Sequence, residues 1–428
     1  MVILKQKSFF VYCYRLSLWV YHILIGFAAP YRAKAKLWLE GRKNIFQRIE
    51  RALAKNQHPL IWFHCASLGE YEQAVTLIHL FQKNRPGHKI FLTFFSPSGF
   101  TQIKKDSSID FVFYLPMDSP ENSQHLIRLV QPDLAVFIKY EFWYFYLHRL
   151  QEENIPVILV AGVFRKNQLF FKPWGKTYLK VIKNFTHIFV QDESSAQLLE
   201  KYAMVNVTVT GDPRVDRVKN ETNNLTKLFA VAEFKGDSPV FIVGSAHRKE
   251  EKLFITFLKS IKKYKSETRW KFLIAPHELK KTSLQKLRKE LGDQTAFFSE
   301  WNSDLDNSNI RILILDTIGH LRTAYAYGDF CLIGGGFDQS VHNILEPAAY
   351  GLPICFGPRY HKFREAVQLV ESGGAFCIHS ARELFDLFCQ FQDTDELKRV
   401  QKINRAYIEN QLGASQKVFN SLCEKNII

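Results

Sequence analysis

Short apolar stretches recur along this chain, each followed by a loop with Gly, Pro or Ser and then by an amphipathic run of helical length. In the first half they are LIWFHCA from Leu60, KIFLTFF from Lys89, FVFYLPM from Phe111, LAVFIKY from Leu134, PVILVAGV from Pro156 and HIFVQD from His187. In the second they are PVFIVGSA from Pro239, KFLIAPH from Lys271, IRILILD from Ile310, DFCLIGGG from Asp329 and LPICFGP from Leu352. Most are apolar at successive rather than alternate positions, the pattern of strands covered on both faces. Parallel strands need long crossover connections, and the amphipathic runs supply them. The pattern predicts an α/β fold with two doubly wound, Rossmann-like domains, since 428 residues exceed what one core usually organises. VTGDPRVDRVKNETNNLTKL, Val209 to Leu228, is polar and without strong periodicity, and reads as the connection between them. Ligands of doubly wound sheets settle outside the carboxyl ends of the strands, so the strand-to-loop junctions are where chemistry is expected.

Fifty-seven Lys and Arg against 42 Asp and Glu give a formal charge of +15, which suits an anionic partner: nucleic acid, acidic lipid or a phosphorylated substrate. Seven scattered cysteines without a C-x-x-C pair argue against both a zinc site and a disulfide framework, and predict a reducing, cytosolic environment. No signal-peptide cleavage pattern is evident. The apolar segment from Phe9 to Pro30 is nearly long enough to span a bilayer, but it contains Arg15 and His22, and its aromatics suit the membrane interface. The basic stretch YRAKAKLWLEGRKN, Tyr31 to Asn44, follows it and suits anionic headgroups. The alternative is an amphipathic helix packed on its own domain.

At the first junction Glu70 stands directly after Gly69, where a partly shielded carboxylate can act as a general base towards a hydroxyl. Ser67 and Glu70 also have capping-box spacing. FFSPSGF offers Ser96, Ser98 and Gly99 at a strand end, and KYEFWYFY offers Glu141 among aromatics. The densest cluster is LIGGGFDQSVHNILEPAAYGLPICFGP, Leu332 to Pro358. Its glycines allow close backbone approach, and His342, Asn343 and Glu346 are predicted to share one helical turn whose start faces an anion. GSAHRKEE and APHELKK add Ser245, His247 and His277 at further junctions, and LDTIGHL adds Asp316 and Thr317. Asp304-Leu305-Asp306 reads as solvated loop rather than a metal clamp, and no G-x-x-x-x-G-K-[ST] phosphate loop occurs.

In order and spacing, HCASLGE, LTFFSPSG, YLPMD, KYEFW, VTGDPRVD, GSAHRKEE, APHE, DTIGHL, GGGF, HNILEPAAYGLPICFGP and QLGASQKV resemble the transferases of 3-deoxy-D-manno-octulosonic acid (Kdo), inverting glycosyltransferases of GT-B architecture. The resemblance covers nearly the whole chain. It implies transfer of Kdo from CMP-Kdo to a lipid A precursor at the cytoplasmic face of the inner membrane, with no metal or other cofactor and no nucleic-acid partner. It implies a membrane-associating segment over 1–44, an acceptor domain over 45–215, a CMP-sugar donor domain over 216–405 and a closing helical segment over 406–428 that packs back on the first domain. Glu70 matches the family's general base, and Glu141 the persisting acid of a second motif. Ser67, Ser96, Ser98 and Gly99 are expected on the acceptor side; Ser245, His247, His277, Gly335, Gly336, His342, Asn343 and Glu346 on the donor side. Two departures stand out: Lys139 and Tyr140 replace the start of an acid-Thr-Glu-Leu-Trp-Pro run, and Pro276-His277 lacks the arginine of P-R-H. Arg248, Lys280 and Arg359 are candidates to replace that cation. The rival readings are a soluble nucleotide-sugar epimerase or hydrolase of the same fold, and a non-catalytic protein binding anionic lipid.

Overall fold

The computed structural model of the chain describes residues 9–104, 108–172, 175–223, 226–264 and 268–428. They form two compact units, Met1–Arg217 with Gly413–Ile428, and Val218–Leu412. The first is built on strands β1 (Leu60–Cys65), β2 (Lys89–Phe94), β3 (Phe111–Tyr114), β4 (Pro132–Ile138), β5 (Val157–Gly162), β6 (His187–Val190) and β7 (Val207–Val209), ordered β3-β2-β1-β4-β5-β6-β7. The second uses β8 (Val240–Ala246), β9 (Lys271–Pro276), β10 (Thr295–Phe297), β11 (Ile312–Ile314), β12 (Phe330–Ile333), β13 (Ile354–Phe356) and β14 (Ala375–Cys377), ordered β10-β11-β9-β8-β12-β13-β14. Every pairing is parallel. Both are doubly wound α/β sheets, as the continuous apolar stretches predict.

Three strands escape the sequence pattern: β7, β10 and β14. All are three residues long and lie at sheet edges. An edge strand has one hydrogen-bonding neighbour and less cover, so it needs no long apolar run. The stretch Val209–Leu228 also differs from expectation, because Pro213–Asn223 within it is helical. Pro213 occupies the first turn, where a missing N–H costs nothing, and Asp212 accepts the Arg214 amide at 3.0 Å. The boundary between the units falls inside this helix, after Arg217.

Asp216, on the same helix, joins two sequence motifs nearly 200 positions apart. Its carboxylate accepts the Gly413 amide at 2.6 Å and the Ser415 amide at 2.7 Å, capping the last helix, Ala414–Glu424. That helix buries Val418, Phe419 and Leu422 against helix Leu68–Asn84, with the Phe419 and Phe81 rings 5.2 Å apart. The capping distances explain why D-x-x-x-D from Asp212 and the closing Gly413-Ala-Ser occur in one chain.

The N-terminal helix, Phe9–Ala28, lies along the first unit. Phe10 and Tyr14 pack on Tyr144 and Tyr178, and Tyr21 packs on Trp38 and Phe95. Its opposite face, Phe9, Tyr12, Leu16, Trp19, Val20, Leu24 and Phe27, is exposed. By length and composition it could cross a membrane. Replacing Asp216 with Ala leaves two amides of a helix start without their acceptor, and we expect a loss of about 2 kcal/mol in denaturant unfolding of the first unit. The C-terminal helix should then become a site of early limited proteolysis; an unchanged unfolding midpoint would reject this role.

Candidate active site

In the first sheet the chain steps outward from β1 through β2 to β3, then returns to place β4 on the other side of β1. Such a switch point is where doubly wound sheets bind ligands. Glu70 follows β1, in the first turn of helix Leu68–Asn84, and is half-buried. Ser67 is the N-cap, but its hydroxyl donates to the Glu70 carboxylate instead of accepting a helix amide. The capping box is therefore not closed, and the acid is held by one hydroxyl.

Glu141 follows β4 and is 9% exposed. Its Oε2 lies 3.0 Å from His64 Nε2 and accepts the Trp143 indole N–H at 2.7 Å. His64 is fully buried on β1, and its Nδ1 lies 2.9 Å from Thr93 Oγ1. Thr93 in turn accepts the Trp62 indole N–H at 2.8 Å. The chain of partners is satisfied when His64 carries a proton on Nε2, so the buried carboxylate has two donors and is fixed in place. Lys139, between β4 and Glu141, has φ +68°, a left-handed strain at a junction that only surrounding structure can hold.

The β2 junction adjoins β1's, with the Ser96 amide donating to the Ala66 carbonyl at 2.7 Å. Ser96 caps helix Pro97–Ile103 by accepting the Ser98 amide, and the two hydroxyls lie 3.1 Å apart. Gly99 serves close packing: a Cβ there would stand 2.3 Å from the Phe94 ring and 3.1 Å from the Leu68 nitrogen.

The second sheet repeats the logic, with β8 and β12 flanking its switch point. β8 carries an irregularity between Val243 and Ala246, where Ser245 has φ +51°. The carbonyl of Ser245 would lie 2.0 Å from a Cβ at Gly334, Gly335 is left-handed at φ +89°, and Gly336 meets the Gly357 backbone within 2.6 Å of its Cβ position. The glycine triplet thus lets backbone segments of the protein meet. Glu250, fully buried, organises the loop: its carboxylate accepts the amides of His247 at 3.1 Å, Gly335 at 3.0 Å and Phe337 at 3.4 Å.

Over this frame three histidines converge. His247 Nε2 and His342 Nε2 are 2.8 Å apart with their rings stacked, and the His277 ring centroid lies 4.2 Å from that of His247 and 5.0 Å from that of His342. Burial, then neighbouring imidazoles, lowers His342 to about 4 and also lowers His277. Neutral imidazoles offer both N–H donors and lone pairs, so the trio can meet an anion or ligate a transition-metal ion. Their ligand nitrogens lie within 4.8 Å of one another, and this is the group among the described residues that could hold a metal.

His342 and Asn343 do not share a helical turn with Glu346, as the sequence predicts: the helix begins at Leu345. Asn343 instead accepts the Leu345 amide at 3.0 Å and donates to Glu346 at 3.1 Å, because a short polar side chain before a helix competes for its free amides. Glu346 is also bound by Arg322 at 3.0 Å. The candidate cations are engaged elsewhere: Arg248 with Glu251 and Glu290, Lys280 with Glu278, and Arg359 with the Asp338 carbonyl. Asp316 accepts the Ser299 amide, Thr317 bonds His320, and Asp304-Leu305-Asp306 lies in a turn region. Sequence reasoning missed His64, a polar residue inside an apolar strand, and Glu250, three residues after His247.

Residues 43–217 match the family described as 3-deoxy-D-manno-octulosonic-acid transferase (kdotransferase). A 3-deoxy-D-manno-octulosonic acid transferase of Aquifex aeolicus (strain VF5) is 26% identical over 75% of this chain and 82% of its own length. One of Haemophilus influenzae is 26% identical over 86% of this chain and 88% of its own. Residues 43–217 thus carry a Kdo transferase domain, and most of the chain is similar to Kdo transferases. Its fold is also that of UDP-GlcNAc 2-epimerase from Neisseria meningitidis, at a TM-score of 0.60 and 16% identity over 86% of this chain and 100% of the other. The chain accordingly has the GT-B architecture of two Rossmann-like domains. Its family match spans Glu70, Glu141 and Asp212 on the first domain.

Glu250→Gln leaves one loop amide facing an NH2 group in place of an acceptor. We expect the second unit to lose about 1–3 kcal/mol in denaturant unfolding. Wild-type stability in that variant would mean that the loop does not depend on the carboxylate.

Proposed function

We propose that the chain transfers Kdo from CMP-Kdo to a hydroxyl of a lipid A precursor, with inversion at C2 of the sugar. Glu70 takes the proton of the acceptor hydroxyl, the acceptor oxygen bonds to C2, and the bond from C2 to the phosphate oxygen breaks. The electron pair departs on CMP. The observation that carries this reading is Glu70 itself: a half-buried carboxylate at the switch point of the first sheet, held by a single side-chain hydroxyl and placed beside the fixed Glu141–His64–Trp143 group. A base with one hydroxyl partner keeps lone pairs open to accept a proton, whereas Glu141 is anchored and suits positioning of the acceptor. The neighbouring hydroxyls of Ser67, Ser96 and Ser98 supply further acceptor contacts.

On the donor side, His247, His277 and His342 receive the anionic groups of CMP-Kdo, with Ser245, Gly335 and Gly336 lining the loop. An anion favours protonation of the imidazoles, so the negative charge gained by the departing phosphate is met by donors already in position. Asn343 and Glu346 contribute donor and acceptor atoms to the nucleotide. No metal enters this scheme. The N-terminal helix rests in the cytoplasmic interface of the inner membrane: its packed face holds the domain, and its exposed apolar face meets anionic lipid.

Glu70→Gln should cut transfer to a lipid A precursor by roughly a hundredfold or more while leaving CMP affinity unchanged, followed by product mass and by calorimetry. Normal turnover would discard Glu70 as base. Asn343→Ala and Glu346→Ala should weaken CMP binding more than lipid binding, and unchanged CMP affinity would remove them from the donor site. Enzyme treated with EDTA should retain full transfer; activity restored only by added divalent metal would instead make the trihistidine group a metal centre.

A further inference from the structure

A cavity of about 710 Å³ lies beneath the N-terminal helix in the first unit. Arg15, Trp19 and His22 from that helix line it, together with Arg42, Phe46 and His125. Arg42 is the unusual member. Its guanidinium donates to the carbonyls of Leu115 at 2.9 Å, Trp38 at 3.1 Å and Phe95 at 2.8 Å, and sits over the Trp38 ring at 3.9 Å. Among the described residues no carboxylate lies within ion-pair distance of it. A guanidinium has five N–H donors, so two remain beyond these carbonyls. Burial brings its pKa down to about 9, the mark of a cation lacking a counter-charge.

The one carboxylate on the cavity wall cannot supply that charge. Asp118 accepts the Tyr14 hydroxyl at 2.7 Å and the amides of Phe145 and Tyr146 at 3.0 and 3.1 Å. Burial raises it to about 6. A half-buried cation that protein groups leave uncompensated is costly, unless an anion arrives to pair with it. Arg42 links the cavity wall to the candidate acceptor groups: the Phe95 carbonyl it binds immediately precedes Ser96, and the Phe95 ring packs at a tilt on Trp143, centroids 4.9 Å apart, the indole that holds Glu141. Trp19, on the exposed apolar face of Phe9–Ala28, is part of its lining.

We propose that this cavity is the phosphate-recognition site for the lipid acceptor, with Arg42 at its base and Arg15 at its rim, and the acyl chains lying along the N-terminal helix. The proposal rests on the acceptor reading above. Arg42 is a specificity residue rather than a catalytic one: it selects acceptors that carry a phosphate close to the sugar, and holds them with the reacting hydroxyl towards Glu70. Rings and carbonyls fix the guanidinium beforehand, so little side-chain entropy is lost when a phosphate docks.

The test uses the full chain in detergent micelles with a phosphorylated lipid A precursor and the same lipid with its phosphates removed. Transfer gives KM and kcat, and quenching of Trp fluorescence gives binding without turnover. Wild type should prefer the phosphorylated lipid in both assays. Arg42→Gln and Arg15→Gln should each raise KM for it about tenfold, with a much smaller change in kcat, and should reduce the preference, while CMP affinity is kept. Arg15 is exposed, so its variant carries the test if Arg42→Gln does not fold. Equal binding of the two lipids by wild type, or a preference that survives both substitutions, overturns the proposal. So does a matching loss of binding to phosphatidylglycerol vesicles, which would make the cavity a site for bulk lipid. If wild type binds the phosphorylated lipid preferentially but transfers no sugar, the transferase reading fails and the phosphate site stands.

Discussion

A parallel strand covered on both faces has no room for unpaired polar side chains along its length, and this constraint governs both domains. Chemistry is pushed to the carboxyl ends, and within each sheet to the place where the order reverses: β1 beside β4, and β8 beside β12. Glu70 and Glu141 stand at the first, Ser245, His247 and the glycine loop at the second. The apparent exception obeys the rule. His64 lies inside a fully buried strand, but both its ring nitrogens are engaged, and it carries the support of Glu141 back into the core as far as Trp62.

The two sites use burial differently. In the first domain one carboxylate is locked and the other has a single hydroxyl partner among the described residues, so two acids at one end of the sheet are held to different degrees. In the second, Glu250 spends its charge on backbone amides, and the loop it holds brings His342 against His247. Neutral imidazoles packed together form a surface whose charge depends on what approaches it. The glycines there are needed for contact between backbone segments, which is a packing requirement that a ligand-binding loop and a plain tight turn would both impose.

The first domain also carries one helix whose apolar residues serve two uses. The helix Phe9–Ala28 is apolar nearly all round, yet one face is used on aromatic residues of the domain and the other is left outward. Hydrophobic periodicity cannot distinguish these two uses, because both faces demand the same residue types. Arg15 and His22, costly in the middle of a bilayer, line a cavity instead.

Sequence alone determined the fold class, the inner strands and the junctions worth searching, because continuous apolar runs and Gly- or Ser-rich turns are local consequences of being buried in a parallel sheet. It also pointed to the similarity with Kdo transferases, which are 26% identical over most of the chain. Tertiary structure decided the rest. Edge strands β7, β10 and β14 exist only because a neighbour offers them a ladder, the pairing of Asp216 with Gly413 and Ser415 brackets the whole of the second unit's sequence, and His247, His277 and His342 meet only when three loops are brought together. Whether a serine-acid spacing closes as a helix cap, and whether an arginine finds a counter-charge, are questions of which groups come within about 3 Å, and neighbours in space are not written in neighbours along the chain.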